Sequence, residues 1–221
     1  RGRRGSGAIG GRRDGYVDLS LATHWDWEKY AAWYRTWGRL MYDPDAAADV
    51  TRDASVPAPA ASALAQASRL LPIVTTAHLP SAACDAYWPE IDWNQPMAAE
   101  PRPNPYGDTP SPKTFPFVSP LDPQLFASID EWAGALLSEE RSAKYSPIDA
   151  ARWLEALAAG AERDLSRAGQ PKTSAARRLA IDVAIQIAVG RFFAAKFRAG
   201  VLYAIHVQTG KQAEHFNFGD R

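Results

Sequence analysis

Cysteine is nearly absent: the 221 residues hold one, Cys84. No disulfide can form within the chain, and no cysteine-based zinc site can be built. Cys84 reads as a small buried side chain. An excess of either charge is also missing, since 25 Lys and Arg balance 25 Asp and Glu. That balance argues against nucleic acid as the main partner. The five arginines before Asp14 are local and read as a solvated run.

The four histidines are scattered, with no metal-ligand spacing. No H-E-x-x-H, Walker, G-x-S-x-G or EF-hand pattern occurs. No metal and no cofactor are therefore expected. There is no internal repeat. A signal peptide is missing too, because the first thirteen residues are mostly Gly and Arg without an apolar core. The start at Arg1 rather than Met leads us to expect a piece of a larger bacterial-type protein, whose compartment stays open.

What the chain does have is aromatic side chains and proline: eight Trp, eight Tyr, eight Phe and 17 Pro. Residues 1–22 are Gly-rich, then alternate in a strand-like way over Tyr16–Leu21. Residues 24–42 predict a helix. Trp27, Tyr30, Tyr34 and Trp37 recur at helical spacing, and Trp33, Leu40 and Met41 widen the face. Pro44 ends it, and a short helix follows over 46–52. Residues 60–78 predict a second long helix, kinked at Pro72. Residues 81–87 add a helical turn.

Residues 88–122 hold many prolines and little periodicity. Trp88, Trp93, Tyr106, Phe115 and Phe117 favour a packed loop there over disorder. Asp122-Pro123 predicts a helix over 123–138. Ser146-Pro147 predicts another over 147–166, with Ser as cap, Pro at the first helical position and Asp149 in the first turn. The last helix spans 173–209 and ends at Gly210. Its middle is apolar nearly all round. Asp182, Arg191, Lys196 and Arg198 make a membrane span a poor reading, at about 2.5–3.5 kcal/mol per central charge. A central helix of a bundle fits better. The expected fold is mainly α: a bundle-like domain over 23–221 with a long central C-terminal helix.

Several stretches carry candidate chemistry. Gly5–Gly10 matches G-x-G-x-x-G, but no helix start follows it, so a turned loop is the better reading. Asp26 and Glu28 are two apart and face different ways on a helix, which suits helix-start electrostatics rather than an acid/base pair. His24 and Trp25 precede that helix and are freer to face a cleft. His78 closes a helix, where the dipole favours its protonated form. Alternatively it hydrogen-bonds a ligand beside Trp88, Glu90, Asp92, Trp93 and Asn94. Tyr87–Gln95 is the most suggestive stretch. Its aromatic faces suit the C–H faces of a sugar, and its carboxylates and amide suit hydroxyls. A packed loop around two tryptophans explains it equally well. Sequence cannot set Glu90 and Asp92 at glycosidase separation, so neither is assigned as catalytic.

Over Trp33–Asp45 the chain reads Trp-Tyr-Arg-Thr-Trp-Gly-Arg-Leu-Met-Tyr-Asp-Pro-Asp. This resembles the junction after the catalytic barrel in α-glucuronidase-like glycoside hydrolases. There a helix with a Trp-Tyr and Gly-Arg-Leu pattern runs into a C-terminal helical domain. Residues 5–21 and 24–30 look like the final strand and loop of such a (β/α) barrel. The resemblance covers roughly residues 5–95. The Pro-rich stretch 96–122 has no counterpart in the glucuronidases proper.

The resemblance implies that residues 1–22 are a barrel remnant and 23–221 a helical domain. It also implies that the catalytic carboxylates lie on an upstream domain of the same parent chain. From this side Arg12, Arg13, Tyr16, His24 and Trp25 would line a carbohydrate cleft, and the partner would be an oligosaccharide or other glycan. The expected function is therefore an accessory helical domain of a carbohydrate-active hydrolase, lining or supporting its cleft. The alternative is a non-catalytic helical module that binds a glycan or a partner protein. A purely structural dimerisation domain is a third reading, which predicts an exposed apolar face on the last helix.

Overall fold

A computed structural model of the chain describes residues 18–21, 25–45, 56–78 and 114–210. Among these residues all regular structure is helical. Six α-helices are α1 (Ala31–Tyr42), α2 (Ala58–Ala67), α3 (Leu70–Ala77), α4 (Ile129–Leu137), α5 (Pro147–Arg167) and α6 (Ser174–Thr209). Short 3-10 turns occupy Leu19–Leu21, Asp26–Tyr30 and Phe115–Phe117. Phe126 and Tyr145 form an isolated parallel bridge, and no strand occurs among the described residues. The mainly α expectation holds. No helix among them is long and apolar enough to cross a membrane.

The described part of the expected strand, 18–21, is instead a 3-10 turn. Asp18 dictates this locally. Its Oδ1 accepts the Ser20 N–H at 2.8 Å, and its carbonyl accepts the Leu21 N–H at 3.1 Å. A short Asx side chain offers the backbone an alternative to a ladder.

The helix expected over 60–78 divides into α2 and α3, with the break at Ser68-Arg69. Pro72 is the physical reason. It lies in the first turn of α3, where a missing N–H costs nothing, and its ring disfavours a carbonyl four residues earlier, at Ser68. The helix expected over 123–138 begins six residues later, at Ile129. Asp122 Oδ1 accepts the N–H groups of Gln124 and Leu125, holding a turn rather than a helix. The chain then pairs with Tyr145, through Ala127 N–H to the Tyr145 carbonyl at 2.9 Å. A capping box starts α4: Ser128 Oγ accepts the Glu131 N–H, and the Glu131 carboxylate accepts the Ser128 N–H.

α5 starts where its sequence signal lies. Ser146 Oγ accepts the Asp149 N–H at 3.0 Å, and Asp149 Oδ2 accepts the Ser146 N–H at 2.9 Å. Thr173 Oγ1 accepts the Ala176 N–H at the start of α6. Gly210, at φ 62°, closes it in the left-handed conformation that glycine adopts without steric cost.

The chain forms two compact units. One takes Arg1–Ala67 with Gly160–Ile185, and the other Ser68–Ala159 with Gln186–Arg221. In the first, Ser62 and Gln66 of α2 both donate to Asp164 Oδ2 of α5, at 2.6 and 2.8 Å. Gly160 admits Gln66, since a Cβ there would collide with the glutamine amide. Arg178 of α6 donates to the Leu21 carbonyl at 2.8 Å, which ties down the 3-10 turn.

The second unit has the larger core. Phe115, Phe193, Phe197, Leu70, Ile129, Leu154 and Val201 are its largest fully buried side chains. α6 passes close to its neighbours through two glycines. A Cβ on Gly190 would lie 2.8 Å from Leu70 Cδ2, and one on Gly200 would lie 3.0 Å from Ile129 Cδ1. The apolar residues of α6 are not all inside, however. Val183, Ile187, Phe193, Phe197, Val201 and Ile205 are buried, while Ile181, Ile185 and Phe192 are exposed.

Candidate functional site: an exposed aromatic face

The segment from Trp25 to Tyr42 is the most unusual surface among the described residues. Its N-terminal part opens as a 3-10 turn, not the α-helix that the spacing predicts. Trp25 precedes the turn in extended conformation, at φ −127° and ψ 144°, and its carbonyl accepts the Glu28 N–H at 3.2 Å. α1 continues the chain and ends as its sequence signal requires, with Asp43 extended ahead of Pro44.

The aromatic residues of this segment do not enter a core. Trp25, Trp27, Tyr30, Trp33, Tyr34, Trp37 and Tyr42 are all exposed, Trp33 by 59% and Trp37 by 50%. Met41 joins them. Within α1, Trp33, Tyr34, Trp37 and Met41 lie at i, i+1, i+4 and i+8, which places them on one side. Trp33 meets Tyr34 edge to face at 5.5 Å and Trp37 at 5.8 Å with a 56° tilt. Arg35 and Arg39, one helical turn apart, are exposed on the opposite side of α1. Exposed apolar surface gathered this densely marks an interaction site, whereas single exposed side chains are ordinary.

The other candidate within the described residues, His78, is placed quite differently. It caps the end of α3, is 4% exposed, and belongs to the second unit. Its Nε2 lies 2.8 Å from the Phe115 carbonyl, an acceptor, so Nε2 carries the proton. The ring stacks on Phe115 at 4.0 Å and meets the edge of Phe197 at 5.7 Å. Burial pushes its pKa down to about 4, and the Lys196 ammonium adds to that. Burial therefore overrides the helix dipole, and His78 is neutral at pH 7.

Lys196 holds its ammonium 4.5 Å from the Phe115 ring centre and 5.4 Å from that of Phe192. Burial also lowers its pKa, to about 8. A shallow dish of about 470 Å³ adjoins α4, walled by Asp130, Glu131, Trp132, Arg141 and Gln208 among others. It contains none of the residues singled out from the sequence. The Trp132 indole N–H beside it is buried without a partner.

Arg12, Arg13, Tyr16, His24, Trp88, Glu90, Trp93 and Asn94 lie outside the described residues. No group of acidic, histidine or cysteine side chains able to hold a metal occurs among the described residues. The aromatic face was visible in the sequence as a helical stripe. Spacing alone does not say which side of the helix is covered, and the structure leaves Trp27, Tyr30, Trp33, Tyr34, Trp37 and Met41 exposed. No family of known proteins, curated protein or solved structure matches the chain.

Proposed function

We propose that the chain is the accessory helical domain of a carbohydrate-active hydrolase, and that it supports the glycan-binding cleft through the aromatic face of Trp25–Tyr42. The exposure of that face is the observation that carries the reading. It falls on the segment that resembles the post-barrel helix of α-glucuronidase-like hydrolases. In that architecture the helix follows a catalytic barrel, and residues 1–22 would be the barrel's end. Tryptophan, tyrosine and arginine are the residues that dominate the energy of protein contacts, and all three are concentrated here. The hydrolytic carboxylates would then belong to the barrel.

Assay of the parent polypeptide and of this chain on glucuronosyl and other oligosaccharides tests the reading. The parent is expected to turn over and the chain alone is not. Turnover by neither would sink the proposal. Turnover by the chain alone would refute the placement of the carboxylates.

A second reading is favoured by the 5.8 Å spacing of Trp33 and Trp37 on one exposed side of α1. Here the chain is a non-catalytic module, and the rings stack directly on a glycan. Tryptophan fluorescence titration of the chain with oligosaccharides separates the two, because only direct stacking perturbs the emission.

A further inference from the structure

Helix α6 carries a second apolar face besides the one it buries. Ile181, Ile185, Ala188, Phe192, Ala195 and Ala199 follow one another at alternating spacings of four and three residues. Every one of them is exposed, Ile185 by 52% and Phe192 by 49%. This is the spacing of a helix–helix seam. It runs for about 27 Å at 1.5 Å per residue. Asp182 and Lys196 border it on one side, and Arg191 and Arg198 on the other.

We propose that this face pairs with the same face of a second copy of the chain, as an antiparallel two-fold helix pair. The argument is self-complementarity. Reverse one copy and set Phe192 opposite Ala188 of the second copy. Ile185 then falls opposite Ala195, and Ile181 opposite Ala199, so each layer sets a large side chain against a small one. A two-fold axis repeats every such contact. The same register brings Asp182 alongside Lys196 of the second copy, again twice. Against this, Arg191 meets its own symmetry mate, once, at the solvent-exposed rim.

A parallel in-register pair is worse on each count. It sets Phe192 on Phe192 and alanine on alanine, and it brings Arg191 beside Lys196 of the second copy twice, where like charges repel. The partner's chemistry is thus read from the helix itself: a reversed copy of α6 matches its size pattern and its charges. The pairing is independent of the hydrolase reading.

Sedimentation of the chain at roughly 100 μM, where even a micromolar dimer is nearly saturated, tests the association. A dimer is expected, and a monomer overturns the proposal. Ala188→Glu places a charge in the seam and is expected to weaken the dimer at least a hundredfold, with an unchanged circular dichroism spectrum. A dimer indifferent to that change uses another face, which also overturns it. Register is tested with Ile185→Cys and Ala195→Cys, made separately in a Cys84→Ser background. After subunit exchange and oxidation, the mixture is expected to cross-link while neither variant links to itself. Self-linking of each variant shows a parallel pair and refutes the antiparallel assignment.

Discussion

The imidazole of His78 lies against the ring of Phe115 at 4.0 Å and donates its Nε2 proton to the carbonyl of that same residue at 2.8 Å. One residue thus supplies both the apolar wall and the acceptor. The 3-10 turn Phe115–Phe117 is fastened to the end of α3 by this arrangement, with Leu121 N–H to the Thr76 carbonyl as a second tie.

Acid weakens the fold through this residue. His78 has a pKa of about 4 when folded, against 6.5 when unfolded. Between those values the unfolded chain binds a proton that the folded chain does not, so stability rises with pH. Stability is therefore lost as pH falls from 6.5 toward 4, by roughly 3 kcal/mol at most. Urea titrations at pH 7 and pH 4.5 measure the loss. His78→Gln keeps a donor for the Phe115 carbonyl and is expected to remove most of that slope.

The two glycine environments on α1 and α6 predict opposite outcomes. Gly38 has nothing within 4 Å of an added Cβ. Gly38→Ala is expected to gain up to about 1 kcal/mol of helix stability. Gly190 faces the fully buried Leu70, so Gly190→Val is expected to cost about 1–3 kcal/mol by overpacking. Thermal melts of the two variants check the signs.

The caps of α4 and α5 differ in burial. Ser128→Ala removes one side of an exposed capping box and is expected to cost about 1 kcal/mol. Ser146 is 4% exposed and also donates its hydroxyl to Asp149 at 2.6 Å. Ser146→Ala is therefore expected to cost more, about 2 kcal/mol, because a carboxylate loses a buried partner as well. Denaturant midpoints at constant m rank them.

Replacing Trp33 and Trp37 together by alanine is expected to leave the chain's own stability within about 0.5 kcal/mol, as for other exposed sites. Loss of several kcal/mol in a melting experiment would mean that the rings are packed, contrary to their exposure here. The same double variant, carried in the parent polypeptide, is expected to weaken the contact proposed for the aromatic face.

Much of the local structure was legible in the residues. Ser146-Pro147 with Asp149 marked the start of α5, and Gly210 marked the end of α6. Both are short-range signals: a side-chain oxygen reaching a backbone N–H three residues on, and a backbone that only glycine adopts freely. Pro72 announced a break between 60 and 78 for the same kind of reason. The start of α4 was misread at Asp122-Pro123. Asp122 and Ser128 are both capping residues, and only the pairing of Phe126 with Tyr145, nineteen positions apart, decides between them.

The candidate site was legible only as a stripe. Periodicity established that α1 has an aromatic side and that α6 is apolar nearly all round. It did not establish which side another element covers. Burial belongs to pairs of surfaces, and the covering residues are distant in sequence. Tertiary structure alone decided that the aromatics of Trp25–Tyr42 face outward, that His78 is locked between Phe115 and Phe197, and that Ile181, Ile185 and Phe192 remain on the surface of α6.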